Sequence, residues 1–212
     1  MSVKKWPGVF GESEAREFER RLNEINEEVR REYEPMGRFG IAIVRAATNC
    51  RDRTKDLIEA ASDLKRVELE FYLFSEFLYF FIHLGMRAAV WGLTEEKIQK
   101  VQDYIGPLLA STAVESYCGH WQREIREGMI GEFFDNLNNA EQEYSACTNQ
   151  STKTDVVDKV IELFMRLGEN ASEIVDCGNI NPATITIVRT VAIDEWKRMD
   201  LEKMVEDIKR VN

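Results

Sequence analysis

Apolar residues recur along this chain at steps of three and four, separated by charged and amide side chains. The pattern is clearest near the start. Ala15, Phe18, Leu22, Ile25, Val29 and Tyr33 form a narrow stripe, and nearly everything between them is Glu, Arg or Asn. This predicts an amphipathic helix over 12–34, opened by Ser13 and ended by Pro35 with Gly37. The pairs Glu12–Arg16, Glu17–Arg21 and Glu27–Arg31 lie one turn apart with the acid first, the favourable order. The stretch 38–49 fits a strand by Phe39, Ile41 and Ile43, and a helix by Ile43, Ala46 and Ala47. With no second strand nearby it is assigned to helix, and Arg51–Asp56 is read as opening the next element.

From Thr54 to Trp91 the spacing predicts one long helix. Leu57, Leu64, Phe71, Leu78 and Gly85 stand seven apart, and Gly92 supplies a stop. Thr94 caps a helix carrying Ile98, Val101, Ile105 and Leu109, which Gly106-Pro107 is expected to break. A further helix spans 120–145, and the polar run 148–154 reads as a loop. Helices over 155–167 and from Asn181-Pro182 to about Arg210 complete the chain, with a short piece at 171–177. The first half of the last helix, ATITIVRTVAI, is β-branched and by intrinsic preference favours strand. Its cap and its helical continuation decide for helix. The expected fold is all-α: an antiparallel helical bundle with a four-helix core and two or three additional helices. The whole of 1–212 is expected to be a single helical domain, with a soft subdomain boundary at 148–154.

The most apolar run, Phe71 to Trp91, contains Glu76, His83 and Arg87, and its uninterrupted part is Phe77 to Ile82. That is far shorter than the ~20 residues a bilayer requires. A helix buried on most of its circumference is the expectation, with no membrane partner. The charge balance is 28 basic to 38 acidic residues, net −10. Phosphate neutralisation by Lys and Arg drives nucleic-acid binding, so no nucleic-acid partner is expected. Cys50, Cys118, Cys147 and Cys177 are widely separated, with no C-x-x-C pair, and read as reduced thiols. The first residues, Met-Ser-Val-Lys-Lys-Trp-Pro-Gly, lack the apolar stretch of a signal peptide. A cytoplasmic location follows as the expectation.

Phosphate loops, dinucleotide fingerprints, H-E-x-x-H and G-x-S-x-G are all missing from the sequence. Two sets of residues remain as candidate chemistry. Glu76, His83 and Arg87 share one face of the most apolar helix. A carboxylate there is costly unless paired, so the three are either a structural network or a ligand pocket. Glu76 and His83 together with His120 and Glu124 offer two imidazoles and two carboxylates, a set suited to iron, manganese or zinc. No cofactor is otherwise predicted, and the Glu-x-x-His step of di-iron bundles is absent from the sequence. Asp135, Asn136, Asn138 and Asn139, followed by Glu141 and Glu143, read as a solvated face or a polar groove. The aromatic run from Phe71 to Phe81 reads as core.

The leading functional expectation is therefore a non-enzymatic protein-interaction or regulatory module. Its interaction face is Phe18, Leu22, Ile25, Val29 and Tyr33, offered to a protein partner or to a second copy. The alternative is a small-ligand or metal-binding bundle, an enzyme included, with a polar pocket around Glu76, His83 and Arg87.

Overall fold

In a computed structural model of the chain, the backbone of residues 12–58, 63–118, 123–149 and 156–211 is described, with α1 side chains from Tyr33 onward. The elements are α1 (Glu12–Thr54), a 3-10 turn (Lys55–Leu57), α2 (Asp63–Gly92), α3 (Glu95–Cys118) and α4 (Arg123–Asn149). They continue with α5 (Val156–Val175), α6 (Pro182–Met199) and α7 (Leu201–Lys209). No strand occurs among the described residues, and the all-α class expected from the periodicity holds.

Helix α2 is the spine. It packs against α1, α3, α4, α5 and α7, and every residue from Phe77 to Gly85 is buried. A helix surrounded on all sides must be apolar all round, which is what this run supplies. Among the described residues, Lys65–Gly92 is the one stretch long and apolar enough to cross a membrane, and 72% of its most apolar window is buried inside the bundle. At the centre, Phe80 lies 5.5, 5.4 and 5.0 Å from the rings of Phe81, Tyr144 and Phe164. α1 runs antiparallel to α2 and approaches it closely where the latter has no side chain. A Cβ on Gly85 would stand 2.9 Å from Phe39 Cζ and 3.2 Å from Ile43 Cδ1. Gly168 plays the same part between α5 and α6, where an added Cβ would meet Ile185 Cγ2 at 2.8 Å.

Several expected boundaries move, for one recurring reason: the apolar stripe runs on through a local breaker. Pro35 and Gly37 do not end α1, which continues unbroken to Thr54. An internal proline costs about 3 kcal/mol; here it is offset by burial of Pro35, Met36 and Phe39, with Ile43, Ala46, Ala47 and Cys50 continuing the stripe. Arg51–Thr54 therefore closes α1 rather than opening α2, which begins at Asp63, not Thr54. Gly106-Pro107 likewise lies inside α3, because Val101, Ile105, Leu109, Ala113 and Val114 are buried on both sides of it. Gly168 does not stop α5, which absorbs most of the expected short piece at 171–177. It ends in a turn with Cys177 and Gly178 at φ 52 and 88. The last helix, expected as one, is divided at Asp200 (φ 48, ψ 52), so that α7 folds back over the end of α2.

The β-branched start of α6 is helical because its N-terminus is capped and Ile185, Val188 and Val191 bury one face. Asn181 Oδ1 accepts the amide of Ala183 at 3.0 Å, Pro182 takes the first turn, and Thr186 and Thr190 donate to the carbonyls four residues back, each at 2.8 Å. Farther along, Glu195 is buried and joins α6 to the end of α1. It accepts from Asn49 Nδ2 at 2.9 Å, Arg53 Nη1 at 3.3 Å and Arg198 Nη1 at 2.6 Å. The loop expected at 148–154 starts later, because α4 continues through Asn149, and 150–154 lie outside the described residues.

Candidate functional site

Two features stand out: a polar seam on α2, and an apolar groove between α1 and α3.

The seam begins at Glu76. Its Oε1 accepts from the Tyr144 hydroxyl of α4 and from Asn170 Nδ2 of α5 at 2.9 Å. Burial is the largest influence on this carboxyl and pushes its pKa above the ordinary 4.5. The two hydrogen bonds pull it back in part, and the charge of Glu143 adds to the rise. Tyr144 is held well above the usual phenol range, first by its own burial and then by Glu76, so it remains the donor. Two turns along α2, His83 is 2% exposed and its Nδ1 lies 2.9 Å from Glu141 Oε2. His83 Nε2 and Glu141 Oε1 are both buried and meet no protein partner. Tyr144 joins the two halves: its hydroxyl is on Glu76, and its ring centroid is 5.6 Å from that of His83.

Glu76, His83 and Arg87 thus share a face of α2 but divide into two environments. Glu76 sits in the α2–α4–α5 seam. His83 and Arg87 line a cleft of about 310 Å³ with Met86, Trp91, Gln102, Glu141 and Ser145, and Glu76 is not part of its wall. The Arg87 guanidinium carbon is 5.8 Å from the centroid of the Trp91 ring, which is 74% exposed.

The other proposed metal ligands do not join this cleft. Glu124 is exposed on α4, nearly five turns and about 25 Å of helix from Glu141. His120 lies outside the described residues. Among the described residues, no three His, Cys, Asp or Glu side chains group closely enough to hold a metal. The acids flanking that set form ion pairs instead: Glu115 with Arg126 at 2.6 Å, and Glu127 with Arg123 at 2.7 Å. Asp135, Asn136, Asn138 and Asn139 are exposed on α4, and Glu141, at the end of the same run, turns in to His83.

The groove is larger, about 800 Å³. Tyr33, Glu34, Gly37, Arg38 and Ile41 of α1 line it, facing Lys100, Asp103 and Tyr104 of α3. The rings of Tyr33 and Tyr104, both in its wall, are 5.0 Å apart. Gly37 and Gly40 face α3 with room for a methyl group. An added Cβ would be 3.6 Å from Tyr104 Oη at the first and 3.4 Å from Leu108 Cδ2 at the second. In the wall, Ile41 and Tyr104 are 56% and 37% exposed, and Leu108, one turn beyond Tyr104 on α3, is 38% exposed, so the apolar strip is open. Two acids and two bases border it. Of the expected interaction face, Tyr33 is placed here. The side chains of Phe18, Leu22, Ile25 and Val29 lie outside what the structure describes.

Sequence reasoning missed Tyr144, Asn170, Trp91, Gln102 and Leu108. Their spacing is ordinary helix spacing, and their roles come from which helices meet. Comparison with family models, with curated proteins and with solved structures returned no match, so the functional reading rests on this geometry.

Proposed function

We propose that this protein is a non-catalytic helical interaction module that binds an amphipathic helix along the α1–α3 groove. The observation that carries the reading is the exposed apolar strip of Ile41 and Tyr104 in the groove, extended one turn along α3 by Leu108. Exposed apolar surface gathered in one concave strip, with charged side chains at its border, suits the docking of a helix through anchors spaced three and four residues apart. The border carries Glu34, Arg38, Lys100 and Asp103. This balance favours a partner of mixed charge over a strongly basic one, despite the net −10 of the chain. Free Cys50, Cys147 and Cys177 support a cytoplasmic setting.

The test is a paired affinity capture with the native chain and the double variant Ile41→Glu, Leu108→Glu. Both side chains are exposed, so helicity and melting temperature should change little. The variant should lose at least about ten-fold of whatever specific partner the native chain retains. Equal retention by the two proteins would contradict the reading.

A second reading has its own observation: His83 Nε2 and Glu141 Oε1, two buried polar atoms without protein partners beside a cleft. A small polar ligand, or a divalent Fe, Mn or Zn ion, is the class of molecule this alternative names. It requires a ligand-dependent rise in melting temperature.

A further inference from the structure

Helix α1 is 43 residues, about 65 Å, whereas its antiparallel neighbour α2 is 30 residues, about 45 Å. Their register is fixed by Gly85 against Phe39 and Ile43. Counting outward, the end of α2 at Gly92 falls level with Glu34. The parallel helix α3 sets the other limit. Tyr104 stands beside Tyr33 and Gly37, so the start of α3 at Glu95 falls level with about residue 26. The first three to four turns of α1 therefore extend past both helices that flank the groove.

The apolar stripe of the sequence begins in those turns and runs on toward the groove. Phe18, Leu22, Ile25 and Val29 are spaced four, three and four apart, and the next position in the series is Tyr33, which lines the groove. Stripe and groove are thus continuous along one helix. We propose that the occupant of the groove is the segment 12–33 of a second copy of this chain, packed reciprocally about a two-fold axis. This inference rests on the interaction reading above and names the partner. Three features favour self-pairing over a foreign helix. The stripe is narrow, with anchors at the spacing a groove of two facing helices accepts. Glu and Arg are interspersed beside it, matching the mixed border of Glu34, Arg38, Lys100 and Asp103. Finally, stripe and groove lie in tandem on α1, so a single two-fold operation engages both twice and leaves no open end to propagate.

Sedimentation equilibrium of the full chain from about 1 to 100 µM tests this. The native protein should approach about 49 kDa, twice the chain mass of 24.6 kDa. Leu22→Asp, on the stripe, and Ile41→Glu, in the groove, should each raise the dimer dissociation constant at least about a hundred-fold while keeping native helicity. Val29→Asp repeats the stripe test if Leu22→Asp fails to fold. The decisive sample is an equimolar mixture of Leu22→Asp and Ile41→Glu. One intact stripe then meets one intact groove, so a heterodimer should return at least about ten-fold tighter than either variant's self-association. A mixture no tighter than the variants alone points to stripe-on-stripe pairing and overturns the proposal, as does a native chain that stays monomeric at 100 µM. A monomer would leave the groove reading to the paired capture, so the two failures are distinguishable.

Discussion

Phe80→Ala should cost about 3–5 kcal/mol, among the largest losses any single truncation in this chain can produce. Phe80 is fully buried, and three aromatic rings from α2, α4 and α5 close on it at 5.0–5.5 Å. Removing the ring deletes its transfer free energy and the edge-to-face contacts. It also leaves a cavity that flanking helices cannot fill without moving. For a domain of this size the melting temperature should fall by roughly 6–20 °C. Trp91→Ala is the matching control, because that ring is 74% exposed and its loss should register below about 1 kcal/mol. Chemical denaturation of both variants, with the slope compared to the native protein, reads the difference. Equal effects would mean that Phe80 is not where the core is tightest.

Glu76 should show opposite responses to two small changes. Glu76→Ala removes the acceptor shared by Tyr144 and Asn170, and each orphaned buried donor costs about 1–3 kcal/mol. A loss of about 2–4 kcal/mol is expected. Glu76→Gln keeps an oxygen acceptor and the volume but cannot ionise. The folded-state pKa of Glu76 lies above its ordinary 4.5, so the folded state holds this proton more tightly than the unfolded chain. Its stabilising contribution is fully present below about pH 4.5 and lost as pH rises through the raised value. Glu76→Gln and the native chain should therefore match near pH 4, with the variant equal or more stable at pH 7. Stability curves at the two pH values check this, and a Gln variant as damaged as the Ala variant at pH 7 would refute it. Added Fe, Mn or Zn in the same series examines the second functional reading. A metal-dependent rise in melting temperature that disappears in His83→Ala and Glu141→Ala but survives in Glu76→Gln would favour it, and no rise would count against it.

Class and spine were legible in the sequence because both follow from periodicity and from the solvation of apolar side chains. The run Phe77–Leu84 had to be buried, and it is. The boundaries were less legible, since Pro35, Pro107 and Gly168 are local signals and the stripes that override them gain their energy from helices far off in sequence. The same limit applies to the seam. Glu76, His83 and Arg87 were recognisable as polar groups on an apolar helix. Their partners Tyr144, Asn170 and Glu141 lie 58 to 94 residues away and carry no local mark. The Asn-rich run of α4 hinted at Glu141 only by position. The stripe was visible in the sequence, whereas the groove was not, because part of its wall belongs to α3.

Native-state hydrogen exchange of the α2 amides in plain aqueous buffer, without detergent or lipid, tests most directly whether α2 is an internal spine. Amides from Phe77 to Leu84 should exchange only through global unfolding and be the slowest in the chain, while those of the turn at 176–181 exchange orders of magnitude faster. Exchange at Phe77–Leu84 as fast as at the turn, or protection that appears only when lipid is added, would contradict it.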